Sequence, residues 1–230
     1  MKIYVENRVG LPTAEVRKVI KAVNKQLKEH FFPAWSISAR LVYRAKTTAA
    51  PDKSKDALII LAPIDVSGAL GYHDWSPEGI PFGIVDPAIS AELYEAWSVT
   101  LSHEAMELAL DTCCNLYAKG PHPVTRKTVL HWLEASDACQ ADTYEIDGVR
   151  VSEFLLPDYF TTQNEGRNTT SRGFQLASFG VRPGGYVGYF DPATGKEGTY
   201  MIEGDVTAKK RWEIKQRIGA MRRAGKRASE

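Results

Sequence analysis

At positions 102–107 the chain reads Ser102-His103-Glu104-Ala105-Met106-Glu107, inside a longer and otherwise largely apolar segment. The apolar spacing from about Ser90 to Leu116 predicts a helix. On such a helix His103 and Glu107 are four residues apart, so they project from one face and are close enough to bind one metal ion. Carboxylates in an apolar helix are costly unless a positive charge compensates them. We therefore predict a metal-binding helix.

The residue after the histidine suggests a reaction. Glu104 follows His103 directly, as in the HExxH motif, where the glutamate acts on a metal-bound water. Neutral imidazole and carboxylate both bind zinc, and three protein ligands plus one water make an open catalytic site. The spacing thus predicts Glu104 as the catalytic residue, with His103 and Glu107 as metal ligands.

The third ligand has three candidates in the sequence. Asp111 lies on the same predicted helix, one further turn along. Glu134 and Asp137 lie at the end of a second helix, which the positions of Val129, Trp132 and Leu133 predict from Thr125 to about Ser136. We rank Glu134 first, Asp111 second and Asp137 third.

The rest of the N-terminal half predicts an α+β fold, because strands and helices alternate without a regular βαβ repeat. A backing helix is expected from Thr13 to about His30, where Pro33 should stop it. The strands that we expect are Lys2–Val5, Ile37–Tyr43, Leu58–Leu61 at the centre of the sheet, Ala69–His73 at its edge, and Phe82–Asp86.

Residues 2–111 resemble the N-terminal half of the zincin metallopeptidase fold, which has a twisted sheet with an edge strand, a backing helix and then the His-Glu helix. The resemblance implies that His103 and Glu107 bind zinc and that Glu104 is the general base. In one zincin branch a downstream helix supplies a glutamate ligand, and Glu134 lies at a compatible distance along the chain.

The motif departs from the usual zincin pattern, because Glu107 stands where the second histidine is expected. HExxE is similar to the motif of divergent zincin-like proteins from bacterial and phage genomes. A carboxylate ligand makes the site harder and more negative than a second imidazole would. Zinc is the expected cofactor, and calcium or another divalent metal such as manganese also fits this donor set.

Other polar residues are weaker candidates. His73 lies in the predicted edge strand and could face the cleft. Tyr144 and Tyr159 could stabilise an oxyanion, because a phenol can donate a hydrogen bond to developing charge. We expect His122 and His131 to be packed or surface histidines rather than ligands.

Bulk composition restricts the function classes. The chain has 230 residues, of which 43% are hydrophobic and 25% charged, and its formal net charge is +1, so no overall field attracts nucleic acid or membrane. The start, Met1–Asn7, lacks the apolar run of a secretory signal, and no run reaches about 18 apolar residues. We expect no membrane partner and a location in the cytoplasm or a phage virion. The three cysteines are predicted to be small buried side chains without disulfides.

Three regions are expected along the chain. Residues 1–147 form the zincin-like metal-binding domain, and 148–207 form an extension rich in β-hairpins. The hairpins are predicted at Tyr144–Val151, with Asp147-Gly148 at its turn, and at Tyr186–Ile202. Residues 208–230 are a basic helical tail that could bind nucleic acid or an acidic partner.

The sequence supports two functions from different classes. The first is a metal-dependent hydrolase, specifically a zinc metallopeptidase that acts on a peptide or protein substrate through a metal-activated water. The second is a non-catalytic zincin-like structural or interaction protein, for example a phage particle component. An open coordination position favours the first, and a site closed by protein ligands favours the second.

Overall fold

A computed structural model describes residues 1–45, 51–52, 54–64, 71–162, 169–202 and 204. Eleven strands and four α-helices are present in this part of the chain. In chain order they are β1 (Lys2–Asn7), α1 (Thr13–Gln26), α2 (Phe32–Trp35), β2 (Arg40–Arg44), β3 (Asp56–Leu61), β4 (Gly71–Trp75), β5 (Pro81–Val85), α3 (Pro87–Glu92), α4 (Trp97–Leu110), β6 (Tyr117–Pro121), β7 (Thr128–Trp132), β8 (Thr143–Ile146), β9 (Val149–Ser152), β10 (Tyr186–Asp191) and β11 (Lys196–Met201).

The larger sheet has five strands in the order β2-β1-β3-β5-β4. All neighbours are parallel except β4, which runs antiparallel to β5 with His73 opposite Gly83. The apolar strand β3 is in the middle, as the sequence predicted for Leu58–Leu61. Strand β4 is the last strand of the order, as predicted for Ala69–His73, of which Ala69 and Leu70 lie outside the described residues. The mixed sheet and its helices confirm the α+β class.

Helix α1 packs against β2 and against the β8–β9 hairpin. The backing helix was predicted to stop at Pro33, and this was wrong. The chain continues through a π-helical stretch, Leu27–Phe31, into α2. Pro33 lies in the first turn of α2, directly after the π-helical stretch, so the helix changes its hydrogen-bonding pattern beside the proline instead of stopping. The helix ends instead at Ser36, whose φ of 57° is left-handed.

The long helix predicted around the His-Glu motif is two helices. The Asp86 side chain caps α3 by accepting hydrogen bonds from the N–H groups of Ala88 and Ile89. The chain then turns at Tyr94, whose φ is 54°, before α4 begins at Trp97. Helix α4 is buried along its whole length after Trp97, which explains its apolar composition on every side.

The prediction of a second helix from Thr125 to about Ser136 was wrong. Its centre is strand β7, which pairs antiparallel with both β6 and β10 in a four-stranded sheet of order β11-β10-β7-β6. Val129 and His131 are buried while Leu130 and Trp132 are half-buried, the alternation of a strand. Pairing with strands on both sides overrides the helical spacing of the apolar residues.

Both predicted hairpins are confirmed, as β8–β9 and β10–β11. The expected domain boundary at 147/148 falls in the turn of β8–β9, and Ile146, Val149 and Val151 belong to the same hydrophobic core as β1, β3 and α4. The predicted tail, 208–230, lies outside the described residues. No helix in the described part of the chain has both the length and the apolar character needed to cross a bilayer.

The three cysteines are all free thiols. Cys139 is buried, as predicted. Cys113 is exposed and Cys114 half-buried, so the prediction of three buried side chains was wrong. Both lie just beyond the end of α4, where Asp111 interrupts the helix and the chain turns towards β6.

Candidate metal centre

Helix α4 carries three of the predicted site residues into the interior. It packs against β4, β5 and β9. The Ser102 hydroxyl fixes its position, because Oγ accepts a hydrogen bond from the Ser152 N–H at 2.7 Å and donates to the Val99 carbonyl at 2.9 Å. The neighbouring residues His103 and Glu104 are consequently held at a defined depth beneath the sheet.

One group of potential ligands surrounds the imidazole of His103. Its Nε2 atom lies 3.0 Å from Oε2 of Glu107 and 3.2 Å from Oδ1 of Asp137. All three residues are buried, and their ligand atoms lie within 4.8 Å of one another. A tetrahedral zinc at its usual bond lengths needs ligand atoms about 3.3–3.6 Å apart, so small outward shifts would admit the ion.

The position of Asp137 depends on the segment after β7. Residues Asp137–Cys139 form a short 3₁₀ turn. The N–H of Ser136, just before it, donates a 3.0 Å hydrogen bond to Oε1 of Glu107. This bond attaches the segment to α4. It occupies Oε1 of Glu107, so the other oxygen, Oε2, faces His103.

A second group surrounds His73 on strand β4. Its Nδ1 atom lies 3.2 Å from Oε2 of Glu104 and 3.9 Å from Oε2 of Glu107, and its Nε2 atom lies 3.7 Å from Oε2 of Glu134. His73, Glu107 and Glu134 again place one ligand atom each within 4.8 Å of the others. Glu107 therefore belongs to both groups.

Electrostatics at this centre follow from the crowding of buried carboxylates. Burial lowers the pKa of His73, but the Glu134 carboxylate and hydrogen bonds with Cys114 and Glu104 outweigh burial and raise that pKa well above its usual value. The pKa of Glu134 is raised to about 8, first by burial and then by the carboxylates of Glu107, Asp137 and Glu104, against the lowering effect of His73. Without a cation, the cluster therefore favours added protons.

These residues fit a metal ion. Within the described part of the chain, the ion pairs of Glu104, Glu107 and Glu134 all involve histidine. Oε2 of Glu134 is buried and accepts no hydrogen bond there. A buried carboxylate oxygen without a donor is costly, and a divalent cation is the group that compensates several such oxygens at once. Imidazole and carboxylate are ligands for zinc and for manganese.

Asp111, the other predicted ligand, has a different position. It ends α4, and its Oδ2 accepts a 2.7 Å hydrogen bond from the N–H of Leu116. Among the described residues it is in neither ligand group. Asp137, which we ranked third, lies in the ligand group of His103 and Glu107. Glu134, which we ranked first, lies in the ligand group of His73.

The two tyrosines proposed as oxyanion donors are used elsewhere. The Tyr159 hydroxyl donates to the Gly180 carbonyl at 2.7 Å, and its ring is buried in the smaller core. The Tyr144 hydroxyl accepts from Nε2 of Gln26 at 3.0 Å and lies 2.9 Å from Nδ1 of His30. These bonds connect core elements, and none of them involves a residue of the two ligand groups.

The remaining histidines are packed, as predicted. Nδ1 of His122 accepts hydrogen bonds from the N–H groups of Val124 and Thr125, and its Nε2 lies 3.0 Å from the Tyr189 hydroxyl. His131 is 1% exposed, and its Nε2 lies 3.1 Å from the Pro121 carbonyl oxygen. Burial lowers the pKa of His131 to about 4.

One residue that the sequence analysis missed is Tyr186. Its hydroxyl hydrogen-bonds Asp137, and burial together with Asp137 and Glu107 raises its pKa well above the usual value. Gly185 makes this approach feasible, because a Cβ at that position would lie 2.3 Å from the carbonyl oxygen of Ala138. The Gly184-Gly185 pair before Tyr186 was the available signal, but it predicts only close backbone packing.

Comparison of the chain with protein-family models, curated proteins and solved structures found no match. A functional assignment therefore rests on the geometry of the candidate metal centre.

Proposed function

We propose that this chain is a zincin-like metal-dependent hydrolase, and specifically a zinc metallopeptidase. The observation that carries the proposal is the group formed by Nε2 of His103, Oε2 of Glu107 and Oδ1 of Asp137, with Glu104 beside His103 on the same buried helix. Three protein ligands of these types leave one position of a tetrahedral ion for water or substrate.

Each residue has a distinct role in this proposal. His103, Glu107 and Asp137 would hold the ion, which would acidify a water and polarise the substrate carbonyl. Glu104 would act as the general base that accepts a proton from the attacking water and as the acid that returns it to the leaving amine. His73 orients Glu104 through the 3.2 Å contact between Nδ1 and Oε2. This assignment replaces Glu134 by Asp137 as the third ligand of the ion.

Strand β4 supports a peptide as the substrate class. It is the last strand of the larger sheet's order and carries His73 beside the Glu104 carboxylate. An extended peptide can bind to an outer strand by main-chain hydrogen bonds, which would place a peptide bond near the ion. The arrangement of this strand next to the His-Glu helix resembles that of zincins.

The first test is the metal content of protein purified without chelator, measured by elemental mass spectrometry. We expect at least one zinc per chain in the wild type and loss of the ion held by His103 in His103→Ala. A peptidase screen then compares wild type with Glu104→Gln. The matched control is Glu92→Gln, which changes an exposed glutamate on the neighbouring helix α3. Protein that binds neither zinc nor manganese would contradict the proposal.

Burial of the centre favours the second candidate, a non-catalytic zincin-like structural or interaction protein such as a phage particle component. His103, Glu104, Glu107 and Asp137 are each at most 7% exposed, which is typical of a closed structural metal site. This candidate predicts tightly bound metal and no hydrolysis of any peptide by either the wild type or Glu104→Gln. Binding of nucleic acid or an acidic partner by the tail, 208–230, is a further prediction of the sequence.

A further inference from the structure

The two ligand groups share one carboxylate. His103, Glu107 and Asp137 form the first, and His73, Glu107 and Glu134 form the second. Each has one imidazole and two carboxylates, and each draws its histidine from a different element, α4 or β4. The shared Glu107 lies between the two histidines.

The orientation of Glu107 is fixed by the protein. Its Oε1 accepts the 3.0 Å hydrogen bond from the Ser136 N–H, and its Oε2 lies 3.0 Å from Nε2 of His103 and 3.9 Å from Nδ1 of His73. The same oxygen therefore faces both imidazoles. A carboxylate in this position can contribute to two ions at once.

His73 and Glu134 supply the rest of a second site. Nε2 of His73 lies 3.7 Å from Oε2 of Glu134, while its Nδ1 lies 3.2 Å from Oε2 of Glu104 and 3.9 Å from Oε2 of Glu107. Carboxylates therefore lie near both ring nitrogens, so one nitrogen can be held by a carboxylate while the other binds metal, which is the usual support for a histidine ligand. Oε2 of Glu134 is buried without a hydrogen-bond partner in the described part of the chain, and so is the hydroxyl of Ser136, which is 0% exposed.

Charge also favours two ions. Three buried carboxylates, Glu104, Glu107 and Asp137, and the half-buried Glu134 can together carry four negative charges, and one divalent ion neutralises half of them. A second divalent ion neutralises the rest, which removes the penalty of burying uncompensated carboxylates.

We infer that the chain binds two divalent first-row metal ions, zinc or manganese, as a dinuclear centre in which Glu107 bridges the ion held by His103 and Asp137 to the ion held by His73 and Glu134. This inference rests on the proposed function, which assigns the ion held by His103, Glu107 and Asp137. It adds a second ion, held by His73 and Glu134 and bridged by Glu107. Ions that share a ligand in such centres are about 3.5–4 Å apart, and both can act on one substrate group.

Metal stoichiometry tests the inference. Protein stripped with chelator is dialysed against excess zinc or manganese, and bound metal per chain is measured at equilibrium. We expect two ions in the wild type, one in His73→Ala, one in His103→Ala and two in His122→Ala. Glu134→Gln, which keeps the shape of the side chain, serves as a second probe of the His73 site should His73→Ala fail to fold, and it should also bind one ion.

Manganese adds a test of the bridge. Two ions that share Glu107 should give an exchange-coupled electron paramagnetic resonance spectrum, and His73→Ala should give the spectrum of an isolated ion. Two ions without coupling would overturn the bridge. One ion in the wild type that disappears in His103→Ala and survives in His73→Ala would overturn the second site and leave the proposed function standing. No bound metal would overturn both.

Discussion

Nδ1 of His73 lies 3.2 Å from Oε2 of Glu104, so the outer strand of the larger sheet and the buried helix α4 meet at the proposed catalytic carboxylate. Thirty-one residues separate the two along the chain. The contact requires β4 to approach α4 closely, and a glycine at the start of the strand permits it.

Gly71→Ala should disturb this contact. A Cβ at position 71 would lie 2.6 Å from Cγ2 of Thr100 and 2.8 Å from Oε1 of Glu104. Overpacking of this kind costs about 1–3 kcal/mol of unfolding free energy. We expect that loss in chemical denaturation, together with weaker metal binding. Thr100→Ser removes Cγ2, so Gly71→Ala/Thr100→Ser should recover part of the loss, and equal stabilities of the single and double variants would contradict the steric account.

Tyr186→Phe tests the support of Asp137. Removing the hydroxyl leaves Asp137 without the hydrogen bond that orients it, and loss of such a support typically weakens metal binding by about 10–100-fold. The measurement is a competition titration with a chromogenic zinc chelator. Tyr189→Phe is the matched control, because the Tyr189 hydroxyl contacts His122 and not the centre. Unchanged affinity in Tyr186→Phe would show that Asp137 is not a ligand or needs no such support.

Zinc should stabilise the fold. A ligand that binds only the native state at 100 times its Kd raises the unfolding free energy by about 2.7 kcal/mol. We expect the melting temperature of chelator-treated protein to rise when zinc is added, and a clear part of that rise to be lost in His103→Ala, which lacks one of the ligand groups. His122→Ala should retain the full rise. A melting temperature that is indifferent to zinc in the wild type would contradict metal binding by the folded chain.

Acid should destabilise the protein through His131. Its folded pKa, about 4, is below the unfolded value of 6.5, so the unfolded chain binds its proton first as pH falls. The contribution of this buried neutral imidazole is thus complete above about pH 6.5 and declines between there and pH 4. From pH 7 to pH 5 the loss should be about 1–2 kcal/mol.

The measurement for His131 is urea denaturation at both pH values for wild type and His131→Gln, which cannot ionise. The pH-dependent loss should be larger in the wild type by that amount, since all other titrating groups are common to both proteins. Identical pH dependence in the two proteins would show that His131 does not remain neutral in the fold.

Local patterns in the chain were enough to predict the α+β class and the centre of the candidate site. Helix geometry places His103 and Glu107 on one face whatever surrounds them. The apolar strand β3, the outer strand β4 and both hairpins follow from alternation and turn residues. These features could be predicted because each depends on residues that are close together in the sequence.

Glu134, Asp137 and His73 were candidates from the sequence, but which of them join this centre, and beside which histidine, was decided only by the three-dimensional fold. The segment predicted as a helix is strand β7, because β6 and β10 pair with it on both sides. The register of that sheet, and the turn that follows it, bring Asp137 to His103 and Glu134 to His73. No local pattern encodes these approaches, since each depends on sheet order, on the close packing that Gly185 allows, and on burial that long-range contacts create.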